Sequence, residues 1–201
     1  ECLTIHGSPA GNFEMYIQPA ARLIVLTQDS TSIAECVRRL IARGFERSKV
    51  IVLENVGGAR EAITMFAASE LPARQWSDLN TLAIHCVASA DAKVLSRVGG
   101  LPDDAFEHDG QITKREVRAA TLAALAPAPD QLLWDIGAGS GSVSIEWMRS
   151  TRGCEAIAIE ADATRCAAIA RNADALGTPR LKIVARSAPL AFEELAAPHA
   201  V

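Results

Sequence analysis

Aromatic residues are scarce in this sequence: three tryptophans, one tyrosine and five phenylalanines among 201 residues. No apolar run reaches the roughly 18 residues that a membrane helix needs, and the first residues carry neither a basic n-region nor an apolar h-region. The expectation is a soluble, cytoplasmic protein with no membrane partner. Positive charge is not in excess. Twenty Lys and Arg stand against 24 Asp and Glu, for a net charge of −4, so the basic footprint that a phosphate backbone demands is missing and nucleic acid is not an expected partner. The five cysteines, Cys2, Cys36, Cys86, Cys154 and Cys166, are odd in number and show no C-x-x-C spacing. Neither a disulfide framework nor a metal site is signalled, and all five are expected to be buried small hydrophobes.

What is present is a core-forming composition, 49% hydrophobic and 22% charged, well away from the composition of disordered chains. Arg22 to Thr27 is an apolar run of strand length. The cluster Asp29-Ser30-Thr31-Ser32 then opens a helix with Ile33, Val37, Leu40 and Ile41 at helical spacing, and Gly44 closes it. Lys49 to Leu53 is a strand. Glu54 to Glu61 is a turn expected to lead into another short helix, and Leu79 to Val87 is a further strand, apolar enough to be central; His85 inside it is expected to be a core residue. Alternation of this kind predicts an α/β layer with a largely parallel sheet.

Residues 97–110 change character, with three glycines, a proline and four acids, and predict a solvated linker. Thr113-Lys-Arg-Glu116 predicts a capping box at the start of a helix. A second series follows, with strands at Leu132 to Ile136, Ala156 to Glu160 and Leu181 to Ala185. Helices are expected from about Ser142 to Arg149 and from Ala163 to Leu176.

The sharpest motif joins the first of those strands to its helix as D-x-G-x-G-x-G, comprising Asp135, Gly137, Ala138, Gly139, Ser140 and Gly141. Alternate glycines allow a tight turn and close approach of backbone to a ligand. The dinucleotide fingerprint G-x-G-x-x-G would place its third glycine at position 142, where Ser142 stands. A pyrophosphate is therefore disfavoured. A carboxylate at Asp135 suits the ammonium and sulfonium of S-adenosylmethionine, and Glu160 at the end of the next strand can accept hydrogen bonds from ribose hydroxyls.

Leu101 to Arg118 (LPDDAFEHDGQITKREVR) followed by Trp134 to Trp147 (WDIGAGSGSVSIEW) resembles the second methyltransferase domain of the precorrin-6Y C(5,15)-methyltransferase family of cobalamin biosynthesis. Thr4 to Pro9 (TIHGSP) and Val52 to Glu61 (VLENVGGARE) resemble the second half of the tetrapyrrole methylase domain that precedes it in that family. The resemblance implies an α/β chain of two domains: residues 1–97 as the C-terminal part of a tetrapyrrole methylase fold, a linker at 98–110, and residues 111–201 as the N-terminal part of a Rossmann-like class I methyltransferase. It implies S-adenosylmethionine as cofactor, contacted by Thr113, Gly137 to Gly141, Glu160 and Ala188, and a tetrapyrrole substrate methylated at carbons 5 and 15 with decarboxylation of the carbon 12 acetate. No catalytic side chain and no metal are implied. The acid that many class I methyltransferases place after the third strand is missing from Arg186-Ser-Ala-Pro189. The chain reads as an internal piece, its next strand expected to begin at Val201, and open sheet edges predict a homo-oligomer. Two other readings stay open: a non-catalytic binding or scaffold fragment, and a class I methyltransferase acting on protein or RNA.

Overall fold

The computed structural model describes residues 1–192 and 195–201. The chain divides into two compact units, Glu1–Leu95 and Ser96–Val201.

In the first unit, β1 (Cys2–Thr4), β2 (Arg22–Leu26), β3 (Lys49–Glu54), β4 (Ala62–Ala67) and β5 (Asn80–His85) form one sheet in the order β1-β2-β5-β3-β4. Helix α1 (Thr31–Ala42) is amphipathic and buries Ile33, Cys36, Val37 and Leu40. These pack with Phe13, Val25, Val50, Val52 and Leu82 in a single core, the helical and strand periodicities each supplying one apolar face. The sheet is mixed, not largely parallel as its alternating pattern predicted. Only β1 and β2 pair in parallel; β5 is antiparallel to both its neighbours, and β4 to β3. His85, expected in the core, is exposed on β5.

The short helix expected after Glu61 is strand β4, whose Ile63, Thr64 and Phe66 suit a pleated surface and whose register against β3 runs from Lys49–Ala67 to Glu54–Ala62. A single turn of 3₁₀ helix follows only at Ala68–Glu70. Cys36 and Cys86 are buried, and burial pushes their thiols up to about 12 and about 11; Cys2, expected to be buried, is exposed on the edge strand.

In the second unit, β6 (Leu132–Ile136), β7 (Glu155–Ile159) and β8 (Lys182–Val184) are parallel and lie in the order β6-β7-β8. Helices α2 (Arg115–Leu125), α3 (Ser142–Ser150) and α4 (Ala163–Ala175) alternate with them. On the other edge of β6, Leu133 forms a parallel bridge with Ala200, and the Trp134 amide donates to the Ala200 carbonyl at 3.0 Å. Counting strands from β6, the spatial order is 3-2-1 with Ala200 in the position of a fourth, the order of a doubly wound α/β sheet. Its ligands sit beyond the carboxyl ends of the strands where the order reverses. The reversal here is at β6, the strand that runs into the glycine loop.

Two expectations fail in this unit. Residues 98–110 are not a solvated linker within it: Leu101 and Phe106 are buried, and the amides of Gly100 and Leu101 donate to the Glu146 carboxylate of α3. Arg118, fully buried, donates to Glu146 at 2.6 Å, to Asp103 at 3.2 Å and to the carbonyls of Leu101 and Thr113, with its guanidinium 4.8 Å from the Phe106 ring centroid. Nor does Thr113 cap α2. The N-cap is Lys114, no side chain caps the helix, and the Thr113 carbonyl is committed to Arg118 instead.

Candidate functional site

β6 ends at Ile136, and the chain turns through Gly137, Gly139 and Gly141 at φ of 74°, 57° and 73°, left-handed values that β-carbons disfavour. Gly141 is the N-cap of α3, and a β-carbon there would stand 2.9 Å from Ile169 Cγ2 of α4. A side chain at this position would separate the two helices. At Gly139 a β-carbon would lie 3.6 Å from the Gln111 carbonyl oxygen, so the loop runs close beneath residues 110–113.

Gly110 to Thr113, Gly137 to Ser140 and Arg165 line a cleft of about 400 Å³. A second hollow of about 390 Å³ shares Gln111, Gly139, Ser140 and Arg165 with it and extends along Glu107, His108, Asp109, Asp162 and Thr164. Together they form one groove over the end of β6, in the size range of small-ligand sites. The residues predicted for the site divide accordingly. Thr113, Gly137, Ala138, Gly139 and Ser140 line the groove.

Glu160 is buried immediately after β7, its Oε2 accepting from the Gly139 amide and its Oε1 from the Asp162 amide, each at 2.9 Å. Each oxygen keeps a lone pair, so the carboxylate holds the loop and retains acceptor capacity. Gly141 serves helix packing. Asp135 lines neither hollow: its Oδ2 accepts from the Ser144 amide at 3.1 Å and hydroxyl at 2.6 Å, tying β6 to α3, and burial raises its carboxyl above the ordinary range against those two bonds. Ala188 is exposed after β8 and lines neither hollow.

The Ser140 hydroxyl is buried and has no hydrogen-bond partner. A buried hydroxyl left unpaired is costly.

Residues 104–201 match the family model described as the precorrin methyltransferase domain. A precorrin-6Y C(5,15)-methyltransferase [decarboxylating] from Sinorhizobium sp is 43% identical over 199 residues, 99% of this chain and 48% of that protein. The chain is a homologue of the precorrin-6Y C(5,15)-methyltransferases. A relative of the same name from Mycobacterium tuberculosis is 38% identical over 92% of this chain and 46% of its own length; the chain thus spans about half the length of the curated relatives it matches. The crystal structure of the C-terminal domain of precorrin-6Y C5,15-methyltransferase from Rhodobacter capsulatus aligns over 52% of this chain and 56% of that one, at 52% identity and a TM-score of 0.49.

Within residues 104–201, sequence reasoning missed the residue that spaces the groove's walls. Asn172 of α4 is buried; its Oδ1 accepts from the Glu107 amide at 2.8 Å, and its Nδ2 donates to the carbonyls of Glu107 and Ser140, both at 2.9 Å. One amide side chain therefore fixes residue 107 against the glycine loop. Arg171 and Arg165 of the same helix pair with Glu107 and Asp109 at 2.5 and 2.9 Å. Asn is a poor residue for a helix interior, and a buried Asn in α4 was the available signal. Asn172→Ala is expected to cost about 2 kcal/mol, since three buried or partly buried backbone groups lose their partner. Urea denaturation gives that loss, and hydrogen exchange at the Glu107 amide should accelerate well beyond exchange in β7.

Proposed function

We propose that the second unit binds S-adenosylmethionine in the groove over β6 and that the protein takes part in methylating a corrin precursor at carbons 5 and 15, with loss of the carbon 12 acetate carboxyl as carbon dioxide. In this reading residues 1–97 are the C-terminal part of a tetrapyrrole methylase domain, 98–110 join it to the next, and 111–201 are the N-terminal part of a class I methyltransferase. The observation that carries the cofactor assignment is the glycine loop at the strand-order reversal with the Glu160 carboxylate fastened beneath it. The relatives' shared name supports the substrate.

The residues fit such a ligand. Glu160 can accept from ribose hydroxyls, the loop carries the unpaired Ser140 hydroxyl, and residues 110–113 cover the loop from the other side. Thr113 faces the groove, and Ala188 is the assigned contact beyond β8. Asp135 would act through the start of α3 and by its charge rather than by touch. With no acid after β8, the adenine would be recognised by backbone groups and shape. A sulfonium methyl group is already activated for transfer, so the protein's task is to orient donor and acceptor and exclude water.

Titration calorimetry of the chain with S-adenosylmethionine tests this. Saturable binding is expected, weakened roughly 10- to 100-fold in Glu160→Gln, the worth of a charge-assisted hydrogen bond. Equal affinity for both proteins would sink the ribose role of Glu160, and no binding by the parent chain would sink the cofactor site.

A further inference from the structure

The groove over β6 has two walls that reach it from different parts of the chain, the glycine loop 137–141 and the segment 107–113. Each is tied down separately. The loop hangs from β7 and its end: the Gly137 and Ala138 amides donate to the Ile159 carbonyl, and the Gly139 amide to Glu160. The segment is held at its far end by Arg118, through the Thr113 carbonyl. Its two ion pairs with α4, Arg171–Glu107 and Arg165–Asp109, are exposed and worth little.

One buried side chain bonds both walls. Asn172 spends its whole amide on them: Nδ2 donates to the Ser140 carbonyl of the loop and to the Glu107 carbonyl of the segment, and Oδ1 accepts from the Glu107 amide. Glu160 and Asn172 thus grip adjacent residues of the loop, Gly139 and Ser140. Ser140 and Glu107 both line the groove, so the bonds of Asn172 set the distance between surfaces that a bound ligand would meet. A ligand that touches two walls binds more tightly when their separation is fixed before it arrives, because ordering them is then no part of the cost of binding.

We infer that Asn172 is a positioning residue for the nucleoside ligand of the groove: by spacing the glycine loop from residue 107 it sets the groove's affinity, beyond its part in stability. The inference rests on the cofactor reading above.

Titration calorimetry with S-adenosylmethionine tests it on the parent chain, Asn172→Ala, Asn172→Asp and Leu181→Ala. Leu181 is buried just before β8, at the end of the parallel strands away from the groove, so its variant is destabilised by a cavity that touches neither wall. Circular dichroism melts fix a temperature at which the variants are folded. Both Asn172 variants are expected to bind about tenfold more weakly than the parent, and Leu181→Ala as tightly as the parent. The carboxyl introduced by Asn172→Asp regains a donor when protonated. Relative to the parent, its deficit should therefore shrink from about pH 7.5 to about pH 5.5 while that of Asn172→Ala stays constant. Should the Asn172 variants not fold, hydrogen exchange in the parent decides: bound ligand should slow exchange of the Glu107 amide several-fold, and unchanged exchange would overturn the inference. Parent-level affinity in both Asn172 variants, or equal weakening in Leu181→Ala, would overturn it and leave the cofactor site standing. No binding by the parent chain would overturn the cofactor reading and the inference together.

Discussion

Arg118→Met is expected to destabilise the second unit by about 3–5 kcal/mol, the cost of leaving a buried charge without its partner. The guanidinium bonds the Glu146 carboxylate and the carbonyls of Leu101 and Thr113. Methionine fills most of the volume and replaces none of those donors. The Gly100 and Leu101 amides still lean on Glu146, so the carboxylate would stay buried with two neutral donors and no cation. Urea denaturation followed by tryptophan fluorescence gives the loss, with Trp134 and Trp147 reporting on this unit. Arg118→Met/Glu146→Gln should recover part of the loss. A glutamine keeps an acceptor for the two amides and removes the charge, whereas a leucine at 146 would orphan both amides and recover less. A loss below about 1 kcal/mol in Arg118→Met would mean that the pair is solvated in practice, like a surface ion pair.

Gly141→Ala should cost about 2–5 kcal/mol from two separable causes. The backbone at φ 73° charges a β-carbon about 1–2 kcal/mol, and the new methyl, 2.9 Å from Ile169 Cγ2, adds overpacking of about 1–3 kcal/mol. Ile169→Ala separates the two. In that background the steric part disappears, and the penalty of Gly141→Ala should fall to about 1–2 kcal/mol, the backbone part alone. An unchanged penalty would assign the whole cost to the backbone and remove close helix packing as the reason for glycine at 141.

The second unit was the more legible half because its signals are local. An apolar run, three alternating glycines and a Gly177 past the end of α4 each declare an element within a few residues of themselves. The first unit concealed its sheet directions because antiparallel and parallel pairing leave the same alternation in a strand; only the partner decides. Ala62 to Ala67 concealed its type for a different reason. Its alanines and methionine suit a helix, and β3 made it a strand.

The groove shows the same division. Its glycine wall and Glu160 lie in one contiguous motif. The opposite wall, residues 107–113, is positioned by Asn172 and by the arginines of α4, more than fifty residues away in sequence, and by Arg118 through Thr113. Glu107 and Asp109 are exposed, as their sequence suggests, but their ion pairs come from distant cations: Arg118 answers Asp103, Arg165 answers Asp109 and Arg171 answers Glu107.

The order β1-β2-β5-β3-β4 also bears on how the first unit comes into being. Its last strand is its middle one, so as the chain emerges during synthesis the β1-β2 pair and the β3-β4 hairpin have their partners at hand, but β2 and β3 wait without their shared neighbour. Burying the core must await residues 80–85, which pair back to strands roughly thirty and sixty residues earlier, a topology that folds slowly because long loops close before their contacts reward them. Until then two apolar strand edges are bare, and the nascent unit is most exposed to aggregation just before β5 arrives.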